Sequence, residues 1–312
     1  MKTMVPTRRD FLKIGLASIG ALSIGKTPFG DIERIIAREF NRLPSPDYHD
    51  INHSKIDWKE TSKGLYFSRV EVYRKNELVD IIAAIKINPE YNKIRVFNGY
   101  ENPDYSEINT IEEWQRRTGA TAMVNSAQYM ANPRYMPCAL VICDGKFKGP
   151  KYNEAVSGML VAEPKSSGLP KADLLDLDYD SFDYKSTAYT QVVQHWPILL
   201  DREGRIKVKK SLWQANRTVV GKDNERNILM LTTEGGYFTL FNLGRFLKDS
   251  KFNVHTAMNM DGGYEANMII KSENLDYVTY GEFETYGLGR DASIFNFKIK
   301  IPGVIGIFPR TG

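Results

Sequence analysis

Between residues 65 and 98 the chain writes three runs, LYFSRVEVYR, VDIIAAIKI and KIRVFN, in which apolar residues alternate or run on for strand lengths. A period of two cannot sit as a helix, so a β-sheet opens the folded body. Further strand-like stretches follow at ATAMVN (120–125), at 138–143, 155–162, 197–200 and 216–220, and at NILMLTT (227–233). Helices are fewer. In NTIEEWQRRTG, Thr110 and Glu113 form a capping box and Gly119 stands at the stop position. Thr239 caps a second helix with Leu240, Leu243 and Phe246 or Leu247 on one face. With strands outnumbering helices about three to one, the expected fold class is α+β, a single domain of mixed, mainly antiparallel β-sheets with a few packed helices.

The amino terminus, TRRDFLKIGLASIGALSIG, has paired Arg8 and Arg9, then Phe11-Leu12-Lys13 and a short, glycine-broken apolar stretch. This is the pattern of a twin-arginine export signal, over residues 1–25, and the apolar part is too short for a permanent span. Ser23 and Gly25 suit a cleavage before Lys26. Export to the periplasm or beyond follows, with no other membrane association expected. Residues 26–63, rich in Pro, Asp, Asn and His with one short helix at DIERIIAREFNR, read as a linker, and the domain as 64–312.

The 42 basic and 38 acidic residues are too evenly mixed for a nucleic-acid groove, so nucleic acid is not an expected partner. No nucleotide or flavin fingerprint is present, and no cofactor is expected. Cys138 and Cys143 lie five apart along a strand, on opposite faces, which argues against a mutual disulfide. His49 and His53 are one helical turn apart but lie in the linker without a nearby carboxylate arrangement, so no metal is expected there, and the acidic run KADLLDLDYDSFDY lacks the glycine and terminal glutamate of a calcium loop and reads as a solvated connection.

The chemistry concentrates in MNMDGGYEANMII. Asp261 follows an apolar strand and precedes Gly262-Gly263, so a carboxylate is held where backbone or ligand can come close; a plain hairpin turn is the alternative. Glu265 and Asn267 follow two apart.

AMNMDGGYEANM resembles the N-L-D-G-G-small-small motif of the phosphodiester glycosidase family. Other stretches keep the family's order: WQRRTGATAMVNSAQYM, VVQHWPILLDREG, ANRTVVGKD, and the helix-to-strand unit GGYFTLFNLGRFLKDSKFNVHTAMNMDGG, together covering about residues 65–300. Departures fall at Ser126-Ala127-Gln128, His195-Trp196 and Tyr264-Glu265-Ala266. The resemblance implies hydrolysis of a sugar-1-phosphodiester in an envelope or host glycan, with a carbohydrate or sugar phosphate as partner. Such chemistry needs a guanidinium to fork two phosphate oxygens and a carboxylate to meet charge developing on the sugar ring. Arg217 and Asp261 are the expected pair, with Glu234, Glu265 and His195 as further proton carriers. Asn125, Gln194, Asn216 and Asn259 are expected on the substrate's polar groups, and the amides of Gly235, Gly236, Gly262 and Gly263 near its anion. Two other readings stay open: a carbohydrate-binding or exopolysaccharide-assembly protein without turnover, and a metal-assisted phosphodiesterase.

Overall fold

The computed structural model describes residues 50–99, 108–130, 136–150, 152–282, 284–285 and 298–310. The twin-arginine stretch, the helix expected at 31–42 and His49 lie outside them. Every strand pairing among the described residues is antiparallel, and they hold two α-helices, so the architecture is mainly β rather than a balance of α and β.

The largest sheet runs in the order Ile51–His53, Leu65–Arg74, Glu77–Ile87, Ile228–Thr233, Thr218–Asp223, Val254–Asn259, Ile198–Leu200, with Lys59–Ser62 also on Leu65–Arg74. A second sheet comprises Lys146–Phe147, Val141–Cys143, Tyr189–His195, Gly158–Pro164 and Ala172–Asp176. The third comprises Asp276–Thr279, Met268–Lys271, Ala122–Asn125, Gly303–Pro309 and Asn92–Asn98. One shared core binds all three: Ile85, Met230 and Met258 of the first meet Leu160 and Val193 of the second and Val124 and Ile305 of the third. Cys143 is buried in this core, and both cysteines are free thiols.

The helices cover outer faces. Leu240–Asp249 lays Leu243, Phe246 and Leu247 on the back of the largest sheet, each such burial stabilising by ~1.5–3 kcal/mol. Its cap is Thr239, accepting from Asn242 N at 3.1 Å. Ile111–Thr118 covers the third sheet with Ile111 and Trp114; its Thr110–Glu113 capping box is complete, and Gly119 closes it at φ 70°.

Two stretches fold differently from expectation. Ile51–His53 and Lys59–Ser62, placed in the linker, are strands of the largest sheet, because Ile51, Ile56 and Trp58 pack against its apolar cluster. Part of the acidic run, Ala172–Asp176, is a strand on Gly158–Pro164: Ala172 and Leu174 point into the shared core while Asp173 pairs with Lys222.

Candidate active site

The tips of the first and third sheets meet at Asp261. Val254–Asn259 ends the apolar run in the largest sheet, and Met260 N still reaches Thr218 O at 2.8 Å. Past Asp261 the chain turns through Gly262 and Gly263, makes a single 3₁₀ turn over Gly263–Glu265, and enters the third sheet as Met268–Lys271. The DGG segment is therefore a crossover between sheets rather than a hairpin turn. Gly263 takes φ 67°, which a side chain would resist, and a Cβ at Gly262 would stand 2.8 Å from Asn216 O.

Asn125, at the end of Ala122–Asn125, pins the two sheets together. Its Nδ2 donates to Asp261 O at 2.9 Å, while its Oδ1 accepts from Thr218 Oγ1 at 2.7 Å and Asn267 N at 3.2 Å. Asn267 then holds the turn, donating to Tyr264 O and Glu265 O. Asp261 and Glu265 line one small cleft with Asn125, Ser126, Ala127, Tyr129 and Gly303.

Both residues are half-buried, and the surrounding protein withholds water from their carboxyls. Burial first, then the charges of Glu265 and Glu284, raise Asp261 well above the usual carboxylate range, against an opposing hydrogen bond from Gly262 N. Burial and then Glu284 raise Glu265 to about 7. Burial thus favours the protonated form of both carboxyls.

Arg217 reaches the same turn from Thr218–Asp223's leading end. It is buried, donates Nη2 to Trp213 O at 2.9 Å and Nε to Phe238 O at 3.4 Å, and its backbone N donates to Thr233 Oγ1. Its Nη1 lies 3.6 Å from where a Cβ of Gly262 would be. Burial lowers its pKa to about 10, with the charge of Glu284 acting the other way. The guanidinium thus lies beside Gly262, the residue after the strand-tip acid, but Arg217 is not among the residues that line the cleft of Asp261 and Glu265.

The other expected residues are placed as follows. Asn216 gives Nδ2 to Thr233 O, accepts from Glu282 N on Oδ1, and its carbonyl holds Gly263 N. The amides of Gly262 and Gly263 therefore both have acceptors within the protein, Asp261 Oδ1 and Asn216 O. Asn259 is buried beneath the turn, its carbonyl at 2.7 Å from His195 Nδ1. His195 itself is buried and stacked on Trp196; burial lowers it to about 4, so it stands neutral, and it does not line the cleft. Gln194 lies in the second sheet with its amide spent on backbone groups of Leu140, Asn153 and Val156. Glu234 is apart from the cleft: Arg69 grips it through two bonds of 2.9 and 2.8 Å and Tyr277 donates at 2.6 Å. Gly235 N is taken by the buried Asp80, which also accepts from Tyr237 N and Ile81 N, and Gly236 completes that turn at φ 68°.

Two groups were not expected. Glu284, on the strand Glu284–Thr285 that pairs with Gln214–Ala215, adds a third carboxylate beside the turn. Tyr129 lies under the cleft, its hydroxyl sharing hydrogen bonds with Ser126 and Asn98. Among the described residues no three His, Cys, Asp or Glu side chains are arranged to hold a metal ion.

Antiparallel sheets joined at a crossover thus place a guanidinium and carboxyl groups around one turn. Residues 118–307 match the pattern of the phosphodiester glycosidase family, and the chain belongs to that family. A glycosidase-type activity on carbohydrate goes with that membership. No curated protein matches the chain in sequence. Among solved structures it is similar to the catalytic domain of zebrafish N-acetylglucosamine-1-phosphodiester alpha-N-acetylglucosaminidase, auto-inhibited by its pro-peptide. The TM-score is 0.55 at 15% identity, covering 84% of this chain and 89% of that one. It is also similar to a hypothetical protein from Synechocystis, with TM-score 0.51 at 12% identity over 82% of this chain and 64% of that one. At these identities the likeness is one of fold.

Proposed function

We propose that the protein is an exported hydrolase that cleaves the glycosidic C–O bond of a sugar-1-phosphodiester in an envelope or host glycan. The observation that carries this is the approach of Arg217 Nη1 to Gly262, the residue next to Asp261, which lines one cleft with Glu265 at the junction of two sheets. In this reading Arg217 holds the phosphate oxygens through its Nη1 edge, the other two nitrogens being anchored on Trp213 O and Phe238 O. Of Asp261 and Glu265, one ionised carboxylate activates water and meets positive charge at the sugar carbon while the other carries the proton. A phosphate monoester is a good leaving group, so a single retained proton suffices. Asn125 contributes by fixing the Asp261 carbonyl, and with it the carboxylate's approach. Glu234, Gly235 and Gly236 have no part in this chemistry, their groups being held by Arg69, Tyr277 and Asp80. The twin-arginine stretch supports delivery outside the cytoplasm.

Incubation of the purified protein with a chromogenic sugar phosphodiester tests the reading: wild type turns it over, while Asp261→Asn and Arg217→Ala do not. The smallness of the cleft favours one second reading, a carbohydrate-binding protein without turnover, which wild-type binding in the absence of product release would establish.

A further inference from the structure

Glu284 stands directly across from Ala215 in the Gln214–Ala215 pairing, two residues before Arg217. The segment leading to it is laced onto the turn. Glu282 N donates to Asn216 Oδ1 at 3.1 Å, and Gly281 passes so close to Gly263 O that only a glycine fits there. The carboxylate that follows lies against Gly263: a Cβ on that glycine would stand 2.5 Å from Glu284 Oε2. Gly262, the next residue back, carries Arg217 Nη1 on its flank. Glu284 and Arg217 thus border the same two-glycine turn, close enough that the arginine's charge opposes the burial that raises Glu284 above the usual carboxylate range, and among the described residues no ion pair within 4.0 Å joins them. Nε and Nη2 of Arg217 are given to Phe238 O and Trp213 O, so Nη1 is the nitrogen left for a ligand, and that ligand must tolerate Glu284.

Phosphate chemistry makes that tolerance selective. A phosphodiester carries one negative charge. In glycosidic hydrolysis water supplies a hydroxyl to the sugar carbon, the C–O bond breaks with its electron pair on the phosphate oxygen, and the water's remaining proton is left over. The monoester so formed holds or sheds that proton according to a second pKa near ~6, and above it carries about two charges. One guanidinium can balance the first charge; the second meets Glu284, with Asp261 and Glu265 beyond it. We propose that Glu284 makes this site selective for singly charged phosphodiesters over doubly charged monoesters, and so helps expel the product. The inference rests on the proposed reading that phosphate docks at Arg217.

Calorimetric titration of the full chain at pH 7.5 tests it, with N-acetylglucosamine 1-phosphate and its methyl diester as probes. Wild type is expected to favour the diester by about tenfold, the scale of one extra charge met at short range in a partly screened site. Glu284→Gln should shrink that preference at least about fivefold, chiefly by tightening the monoester. Glu284→Asp, which keeps the charge, should retain it. Thermal unfolding of both variants, compared with wild type, verifies that they fold. An unchanged preference in Glu284→Gln overturns the proposal, as does failure of both probes to bind every form. A preference that collapses as expected in a protein that hydrolyses no diester would leave the charge filter standing and remove the hydrolase reading; turnover with a preference indifferent to Glu284 would do the reverse.

Discussion

Replacing Arg217 with methionine should abolish phosphodiester binding while leaving the fold close to wild-type stability. Only 8% of Arg217 is exposed, and among the described residues no carboxylate stands within ion-pair distance of it. Burial lowers its pKa from 12.5 to about 10, which at about 1.4 kcal/mol per pH unit puts the cost of keeping the charge inside at about 3 kcal/mol. The cost applies wherever the group is charged in the fold, below about 10, and so throughout the neutral range. Methionine fills the stem's volume and removes that cost. Against it, Trp213 O and Phe238 O each lose a donor, together about 1–3 kcal/mol, and Phe238 O keeps Ala215 N at 3.4 Å. The opposing terms leave Arg217→Met within about 2 kcal/mol of wild type, a midpoint change of no more than ~8 °C. Affinity for a sugar phosphodiester should fall by about a hundredfold or more, the loss of two charge-assisted bonds. Guanidinium chloride denaturation and calorimetry on the same samples give both numbers. A stability loss above about 4 kcal/mol would mean that the arginine is kept to hold the fold, and undiminished affinity would remove it from the site.

Asn125→Ala strands the Asp261 carbonyl, the Thr218 hydroxyl and the Asn267 amide at once, so equilibrium denaturation should show a loss of about 2–3 kcal/mol; a loss below about 0.5 kcal/mol would show that the junction is held by other means. Glu265 titrates near 7 in the fold against an ordinary 4.5, so the native state favours its protonated form: its stabilisation is complete below about 4.5 and is lost as pH rises through 7. Because Asp80 is raised into the same window, wild type alone cannot isolate the effect; Glu265→Gln should flatten the decline between pH 5 and 8 by a measurable part, and curves that stay parallel would place the titration elsewhere.

Local signals were the readable part of this fold. Thr110, Glu113 and Gly119 wrote one helix and Thr239 the other, because capping is decided within four residues. Ala172–Asp176 was hidden by its aspartates, although its alternation of Ala172 and Leu174 with acids is the period of a strand with one buried face. The expectation of α+β overestimated helix because the two clear helices stood out, while strands such as Gly303–Pro309, inserted between Ala122–Asn125 and Asn92–Asn98, left no comparable local mark. At the site, Arg217 and Asp261 were legible as chemistry in search of a common place. What could not be read were partners distant along the chain: Arg69 for Glu234 and Asp80 for the Gly235 amide, each more than 150 residues away. Glu284 was missed for the same reason, since nothing in GEFETYG announces that its carboxylate lies against Gly263.

Whether the junction carrying Asp261 and Arg217 breaks the bond between sugar carbon and phosphate oxygen is decided by hydrolysing a sugar phosphodiester in heavy-oxygen water and weighing the released phosphate monoester. Cleavage at the sugar carbon gives unlabelled phosphate, label on the sugar's C1 hydroxyl, and no product from Asp261→Asn; label in the phosphate would place the attack at phosphorus instead and refute glycosidic cleavage.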